Sequence, residues 1–368
     1  MLLTISAFFL IVYALGLFLA TRYEPQTVNK DRKSPGTEQP PSVSVLVPFR
    51  NERQRLPELL ANLSRISYAG SHEFLLIDDH SEDSPLEIVH QHGFSQLRYL
   101  PPLKGVEGKK QNLQRAVSEA KGDIILTTDA DCRHDPHWIE SVVKNFDSDQ
   151  VKMVLGPVRI EASNYFGRLQ AMEFFSVMGV TRLSAKLGYP FMANGANLAY
   201  LKKTFFEVQG YSGNEHFSSG DDEFLLRKFS RNHPLCVRFA DEVGAVVETS
   251  SAQSLREFLH QRIRWAGKWR HNTDPVAFFA AVWIFSIQII TLGLVLTGLV
   301  SLEVVHVSLL IKFFAEGYFL KKEAGRQHAS FRLGDFLVVG LLYPVYVIVV
   351  ALFSFWAKPK WKGRKVNI

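Results

Sequence analysis

Two carboxylates one residue apart, Asp129 and Asp131, follow the run Asp123-Ile-Ile-Leu-Thr-Thr128. At the carboxyl end of a buried strand, such a pair can hold a hard divalent cation against a diphosphate. These ions take oxygen ligands and keep waters or substrate phosphates in their remaining positions. An isolated Asp-x-Asp is more often a solvated turn, so the case depends on what accompanies it. Two other segments also end an apolar run on polar residues: Pro48-Phe-Arg50-Asn-Glu52 and Asp78-Asp79-His80-Ser81. Polar groups converging at one edge of an α/β sheet are the usual geometry of a nucleotide site. No G-x-G-x-x-G follows the first run and no Walker loop is present. Phosphates would then be held by a metal and by cations such as Lys109 and Lys110.

Further on, Asp221-Asp222-Glu223 precede Phe-Leu-Leu. Acidic runs are common at helix N-termini, where the macrodipole favours them. A carboxylate in such a cluster can also have its pKa raised by its neighbours and act as a general base. Gln261-Arg262-Ile-Arg264-Trp265 comes just before a long apolar stretch. On its own it reads as a basic, aromatic anchor at a membrane boundary.

The elements that must position these groups alternate. Ser42–Pro48, Phe74–Ile77 and Asp123–Thr128 read as buried strands, with Val151–Leu155 and Arg238–Val247 as further candidates. Leu56, Leu59, Leu60 and Leu63 recur at helical spacing within 54–66, and 109–121 reads as a helix closed by Gly122. The expected class is α/β, a mixed but mostly parallel sheet flanked by helices, with transmembrane helices added. Residues 163–188, with Phe166, Leu169, Met172, Phe174 and Phe175, form an amphipathic helix suited equally to a core or to a membrane surface.

Bulk composition hides a division into polar and membrane-like parts. Residues 2–20 are uncharged and mostly apolar, as are Val276–Val300 and Phe336–Ala357. The second would rise about 37 Å as a helix, enough for a hydrocarbon core of about 30 Å. Leu302–Leu320 is apolar but carries Glu303, His306, Lys312 and Glu316, so it either crosses or lies in the interface. A cleaved signal peptide competes for residues 1–20, but the basic n-region is missing, and Arg22, Lys30, Arg32 and Lys33 follow the apolar run instead. An uncleaved anchor with its amino terminus outside and the following domain in the cytoplasm is expected. Two cysteines, Cys132 and Cys236, provide no disulfide framework. The net charge of +6 concentrates beside the apolar segments, at Arg262, Arg264, Lys268, Arg270 and Lys358–Lys365, which indicates anionic lipid rather than nucleic acid.

Taken together and in order, these segments resemble the family 2 glycosyltransferases, enzymes of GT-A fold that use nucleotide-activated sugars. The resemblance covers about 41–265. It implies that Pro48, Arg50, Glu52, Asp78, Asp79 and Lys109 line the donor nucleotide. It further implies that Asp131, with Asp129, carries Mg²⁺ or Mn²⁺. Asn194-Gly195-Ala-Asn197 resembles the segment beside the donor sugar. Asp221-Asp222-x-x-Leu225 matches an acidic pair whose second member is the base. Gln261-x-x-Arg264-Trp265 matches the signature of membrane-embedded members, where Gln261 and Arg264 would reach the diphosphate and Trp265 the acceptor.

That resemblance implies a single displacement with inversion at the anomeric carbon. The span count, and the tail Trp361-Lys-Gly-Arg364, look more like enzymes that glycosylate a membrane lipid than processive polysaccharide synthases. The expected organisation is an anchor (1–20), a linker (21–41), a cytoplasmic catalytic domain (42–250) and an interface helix (251–275). Two or three transmembrane or interface helices (276–357) and a basic tail (358–368) follow. Leu302–Leu320 is expected to lie in the interface, which returns the tail to the cytoplasm. An inactive membrane adaptor would have no need of Asp129, Asp131, Asp222 and Arg264, and a transporter would leave the long α/β domain unexplained.

Overall fold

The structure, a computed structural model, describes residues 2–23, 39–213, 220–267, 274–296, 303–356, 360–361 and 364–365. Ser218, Ser219, Lys268, Trp269, Arg270, most of the 21–41 linker and most of the basic tail lie outside these residues.

In chain order the elements begin α1 (Leu2–Arg22), β1 (Val43–Phe49), α2 (Leu56–Leu63), β2 (His72–Asp78), α3 (Leu86–His92), β3 (Leu97–Leu100), α4 (Lys109–Glu119) and β4 (Ile124–Thr127). There follow β5 (Cys132–Arg133), α5 (Trp138–Val143), β6 (Met153–Leu155), β7 (Val158–Glu161), α6 (Tyr165–Lys186), β8 (Leu198–Leu201), α7 (Lys202–Glu207) and α8 (Asp221–Asn232). The last are β9 (Val237–Phe239), β10 (Val247–Ser250), α9 (Leu255–Gly267), α10 (Pro275–Leu296), α11 (Glu303–Arg326), α12 (Leu333–Trp356) and the two-residue strands β11 (Lys360–Trp361) and β12 (Arg364–Lys365). The chain divides into two units. One comprises 1–25, 161–183 and 251–359, and the other 26–160, 184–250 and 360–368.

The second unit is built on a seven-stranded sheet of order β3-β2-β1-β4-β8-β6-β9. Strands β3, β2, β1 and β4 run parallel, whereas β8 is antiparallel to both its neighbours. The continuous apolar runs of β1 and β2 are those of strands covered on both faces, and both are buried almost throughout. Leu56, Leu59, Leu60 and Leu63 of α2 are buried as their spacing requires. The winding direction changes between β1 and β4, and ligands of open α/β sheets lie outside the carboxyl ends of the strands at such a point. A small sheet, β5-β10-β7, pairs Cys132 with Thr249 and Arg133 with Glu248, which ties down the chain just after Asp131.

The first unit is helical. Among the described residues, three of its helices are long and apolar enough to cross a membrane: Thr4–Arg22, Pro275–Leu296 and Leu333–Trp356. α11 carries more charge but packs lengthwise along α1 and in the same direction. Leu10 clusters with Val305, the Tyr13 hydroxyl donates to Glu316 at 3.1 Å, Phe18 stacks near Tyr318 at 5.5 Å, and Arg326 donates to the Thr21 carbonyl at 3.3 Å. The mid-helix charges are paired, with Lys312 Nζ 2.8 Å from Glu316. A helix so aligned shares whatever path α1 takes, so α11 lies flat in the interface only if α1 does. Residues 161–183, inside the segment expected to form the catalytic domain, belong to this unit. The amphipathic face of α6 is a packing face, with Met172 and Phe175 clustering with Phe319, Leu320, Ala324 and Phe336.

Candidate active site

Backbone pairing continues past the strand ends and holds the polar residues in place. The Asp79 amide donates to the Phe49 carbonyl at 2.9 Å and the Thr128 amide to the Leu46 carbonyl at 3.1 Å. The Asp78 carboxylate is spent on the fold at one edge, accepting from the Ser81 amide (2.8 Å) and the Tyr99 hydroxyl (2.7 Å). Asp79 accepts from the Gly108 amide (2.9 Å) and from Asn112 Nδ2 (3.0 Å), which fixes the start of α4. Burial raises the Asp79 carboxyl above its ordinary pKa, although the Gly108 amide and Arg50 pull it down. Pro48 pairs with Ile77 inside the sheet. Arg50 is nearly buried and reaches the exposed Glu82 at 3.0 Å.

Lys109 is the hub. Its Nζ lies 2.8 Å from Asp129 Oδ1 and 3.7 Å from Asp221 Oδ2. Burial alone would lower its pKa, but Asp129, Asp221 and Asp222 together raise it, so it is a fixed cation. Two glycines make this meeting possible. Gly108 (φ 84°) precedes α4 and Gly220 (φ 83°) precedes α8, both in left-handed backbone that side-chain-bearing residues seldom adopt. Each helix therefore starts from a sharp turn that presents its first residues, Lys109 on one and Asp221 and Asp222 on the other. Lys110, the other expected cation, is buried with its ammonium 4.5 Å from the centre of the Phe224 ring.

The 194–197 loop reaches the same place because β8 is antiparallel to β4, with Thr127 opposite Leu198. The start of β8 then lies at the end of β4, and the Thr127 hydroxyl donates to the Gly195 carbonyl at 2.7 Å. The Gly195 amide donates to Asp222 Oδ2 at 3.1 Å, and a Cβ on Gly195 would sit 3.5 Å from both Lys109 Nζ and Asp221 Oδ2. Asn194 Oδ1 accepts from the Ala196 amide and closes the loop. Asp129, Lys109, Gly195, Asp221 and Asp222 therefore form one cluster.

Asp131 stands beside it, reached by Arg55 at 3.7 Å, and Arg55 also contacts Glu52 at 3.5 Å. Burial, followed by the like charge of Asp129, raises the Asp131 pKa, with Arg55 opposing and Glu52 adding to the rise. Among the described residues no group of three or more His, Cys, Asp or Glu is arranged to hold a metal unaided. The donors nevertheless suit a hard cation that takes two carboxylates and completes its shell with phosphate and water. A positive charge there would also relieve the repulsion that raises the Asp131 pKa.

His134 is a residue the sequence did not flag. Its Nδ1 lies 2.9 Å from Asn62 Oδ1 and its Nε2 2.7 Å from the Thr128 hydroxyl, which anchors the chain on both sides of Asp129–Asp131. The arrangement is satisfied by the neutral ring, with Nδ1–H donating to Asn62 and Nε2 accepting from Thr128. Burial lowers its pKa from 6.5 to about 3. Above about pH 6.5 the ring is neutral in the folded and unfolded states alike; below it the unfolded chain binds a proton that the folded one refuses. Stability then declines as pH falls toward 3, by up to about 1.4 kcal/mol per pH unit. Between about pH 6.5 and 5, the melting temperature of the wild type should fall more steeply than that of His134→Gln, whose amide can serve both partners.

Gln261, Arg264 and Trp265 lie on α9, in the helical unit. Gln261 Oε1 accepts from Arg262 Nη1 at 2.6 Å, and the Arg262 guanidinium lies 4.3 Å from the centre of the Trp265 ring. Arg262 also meets the Glu173 carboxylate at 2.6 Å, with side-chain exposures of only 3% and 7%. Glu173 also accepts from the Tyr346 hydroxyl at 3.0 Å.

A mixed, mainly parallel sheet with an Asp-x-Asp at the switch-point edge and transmembrane-length helices beside it in sequence is the GT-A class of fold. The mannosyltransferase PcManGT of Pyrobaculum calidifontis, solved with GDP-Man and Mn²⁺, shares the fold with a TM-score of 0.55 and 18% identity, over 96% of this chain and 99% of its own. Residues 44–213 match the family Glycosyl transferase family 2, and the chain carries a domain of that family. Among similar curated proteins is an N-acetylglucosaminyltransferase of Sinorhizobium fredii, 28% identical over 63% of this chain and 58% of its own length. Another is the undecaprenyl-phosphate 4-deoxy-4-formamido-L-arabinose transferase of Pseudomonas savastanoi, 33% identical over 32% of this chain and 35% of its own. This chain thus spans about three-fifths of the first relative and a third of the second.

Proposed function

We propose that this protein is an inverting, metal-dependent glycosyltransferase that moves one sugar from a nucleotide-sugar, a UDP-sugar in the first instance, to a membrane lipid. The observation that carries the reading is the cluster in which Asp222 is held by the Gly195 amide beside the Lys109–Asp129 pair. Asp129 and Asp131 would hold Mg²⁺ or Mn²⁺, which when bound offsets charge on the departing nucleoside diphosphate. Arg50, Glu52, Asp78 and Asp79 shape the nucleotide side at the ends of β1 and β2. Asn194 and Gly195 flank the donor sugar, and Lys109 keeps Asp129 and Asp221 charge-balanced. Asp222 takes the proton of the acceptor hydroxyl as it attacks the anomeric carbon opposite the leaving group. Gln261 and Arg264 are assigned to the diphosphate and Trp265 to the acceptor.

The lipid acceptor is supported by the three helices long enough to cross a membrane and by the relative named for undecaprenyl phosphate. The catalytic domain is assigned to the cytoplasmic face of the cell membrane, the side on which Arg22 follows the first apolar helix. The test is release of nucleoside diphosphate by detergent-purified protein. A panel of nucleotide-sugars with Mn²⁺ would be supplied, with and without extracted lipid, to the wild type and to Asp131→Ala. Release that needs both lipid and Mn²⁺, and that is lost in the variant together with Mn²⁺-dependent nucleotide binding, is expected. Release indifferent to lipid would point to polymer synthesis or hydrolysis and overturn the lipid acceptor; the absence of release with every donor tried would overturn the transferase itself.

A further inference from the structure

α1 and α11 both expose apolar residues along their shared length. On α11, Val307, Ile311 and Phe314 are exposed apolar residues at three- and four-residue spacing, and the same stripe continues through Tyr318 to Lys321 and Lys322. On α1 the stripe runs Ile11, Leu15, Phe18 and then Arg22. Because the helices are parallel, the two apolar stretches lie at one level and the cations at another, separated by the Phe18–Tyr318 ring pair at 5.5 Å. At the cationic end is a cavity of about 600 Å³ lined by Tyr318, Lys321, Lys322, Gly325 and Arg326. On α1 the Arg22 guanidinium lies 4.4 Å from the centre of the Phe18 ring, the partner of Tyr318, and on α11 Lys322 lies 5.8 Å from the centre of the Tyr318 ring.

The charges there are unbalanced. Arg326 is taken by Glu323 (2.7 Å) and by the Thr21 carbonyl. Among the described residues, Arg22, Lys321 and Lys322 meet no carboxylate. Two lysines that meet no carboxylate line the hollow, and lysine and arginine suit phosphate. The apolar stripe says which kind of anion. From Val307 to Tyr318 the helix rises about 16 Å, close to one leaflet's share of a hydrocarbon core of about 30 Å. Aromatic rings at that height mark the interface, where headgroups sit.

We infer that the α1–α11 pair binds one anionic phospholipid, its phosphate in the cavity lined by Lys321 and Lys322 with Arg22 reaching it from α1, and its acyl chains along Ile11, Leu15, Ile311 and Phe314. The site uses none of the residues assigned to the donor, so it stands or falls apart from the transferase reading; it rests on α1 crossing the bilayer. Its purpose is to secure α11, whose last turns carry Lys321, Lys322 and Arg326, against α1.

The test is native mass spectrometry of protein released from bilayers of mixed phosphatidylglycerol and phosphatidylcholine. Wild type should retain one phosphatidylglycerol in preference to phosphatidylcholine. The Arg22→Gln, Lys321→Gln, Lys322→Gln triple variant should lose that preference by about a hundredfold, at roughly a factor of five per cation. Lys321→Arg with Lys322→Arg should keep it, and all forms should melt alike in detergent without lipid, which separates loss of a ligand from loss of the fold. A triple variant that retains phosphatidylglycerol as the wild type does would overturn the proposal. So would equal retention of the two lipids by wild type, or displacement of the bound lipid by millimolar inorganic phosphate, which would reassign the cavity to a free anion.

Discussion

Asp222→Asn should lower kcat by about 10²–10⁴, the range attributed to a positioned general base, and leave the donor KM little changed. The substitution is nearly isosteric. The Asn carbonyl oxygen can still accept from the Gly195 amide or from the Glu223 amide, which bond the two carboxylate oxygens at 3.1 and 2.9 Å. The 194–197 loop should therefore hold its place while the capacity to take a proton disappears. Asp221→Asn is the informative contrast. Asp221 faces Lys109 at 3.7 Å, so removing its charge should act on donor binding before it acts on kcat. If the two variants exchange phenotypes, the base is Asp221 and not Asp222.

The largest stability effect is expected at Arg262. Its guanidinium is almost completely buried and donates to Glu173 through Nε and Nη2, at 3.2 and 2.6 Å, while Nη1 holds Gln261. It is also stacked between aromatic rings, 4.6 Å from the centre of Phe258 and 4.3 Å from that of Trp265. Arg262→Ala would leave the Glu173 carboxylate buried with Tyr346 as its remaining partner. Breaking a buried pair on one side costs about 3–5 kcal/mol, whereas replacing both partners with apolar groups of similar volume is often neutral. The single variant should therefore melt well below the wild type in detergent. Arg262→Met combined with Glu173→Met should recover most of the loss. A single variant that melts with the wild type would show that the pair contributes little. Because Arg262 also orients Gln261 and Trp265, the double variant should regain stability without regaining full activity.

Much of the site could be read from the chain because its groups sit at the ends of short apolar runs. The runs at 42–48, 74–77 and 123–128 become β1, β2 and β4, and the polar residues after each converge as the parallel arrangement demands. Less legible was how Asn194–Asn197 arrives there. β8 is a four-residue strand, and its antiparallel pairing with β4 is a long-range choice that no local pattern announces. The expected strand at 238–247 resolves into β9 and β10 in different sheets, because the alternation of apolar residues does not reveal a change of partner. Lys109 and Lys110 could not be ranked by type. Only the turn at Gly108 decides that one faces the carboxylates and the other the Phe224 ring. In Gln261–Trp265 the motif drew attention to Gln261, Arg264 and Trp265, while Arg262 read as an anchor. Its buried partner Glu173 is 89 residues away in sequence and carries no local signal. His134 was missed for the same reason, since Asn62 lies on a different element.

The most direct test of the central claim is the mass of the lipid product. Protein in bilayers would be given the donor that supports nucleotide release, and the extracted lipids weighed at successive times. A single species heavier than its acceptor by one sugar, absent with Asp222→Asn, is the predicted result. A ladder of products that lengthens with time, or an unchanged lipid fraction alongside free sugar, would contradict it.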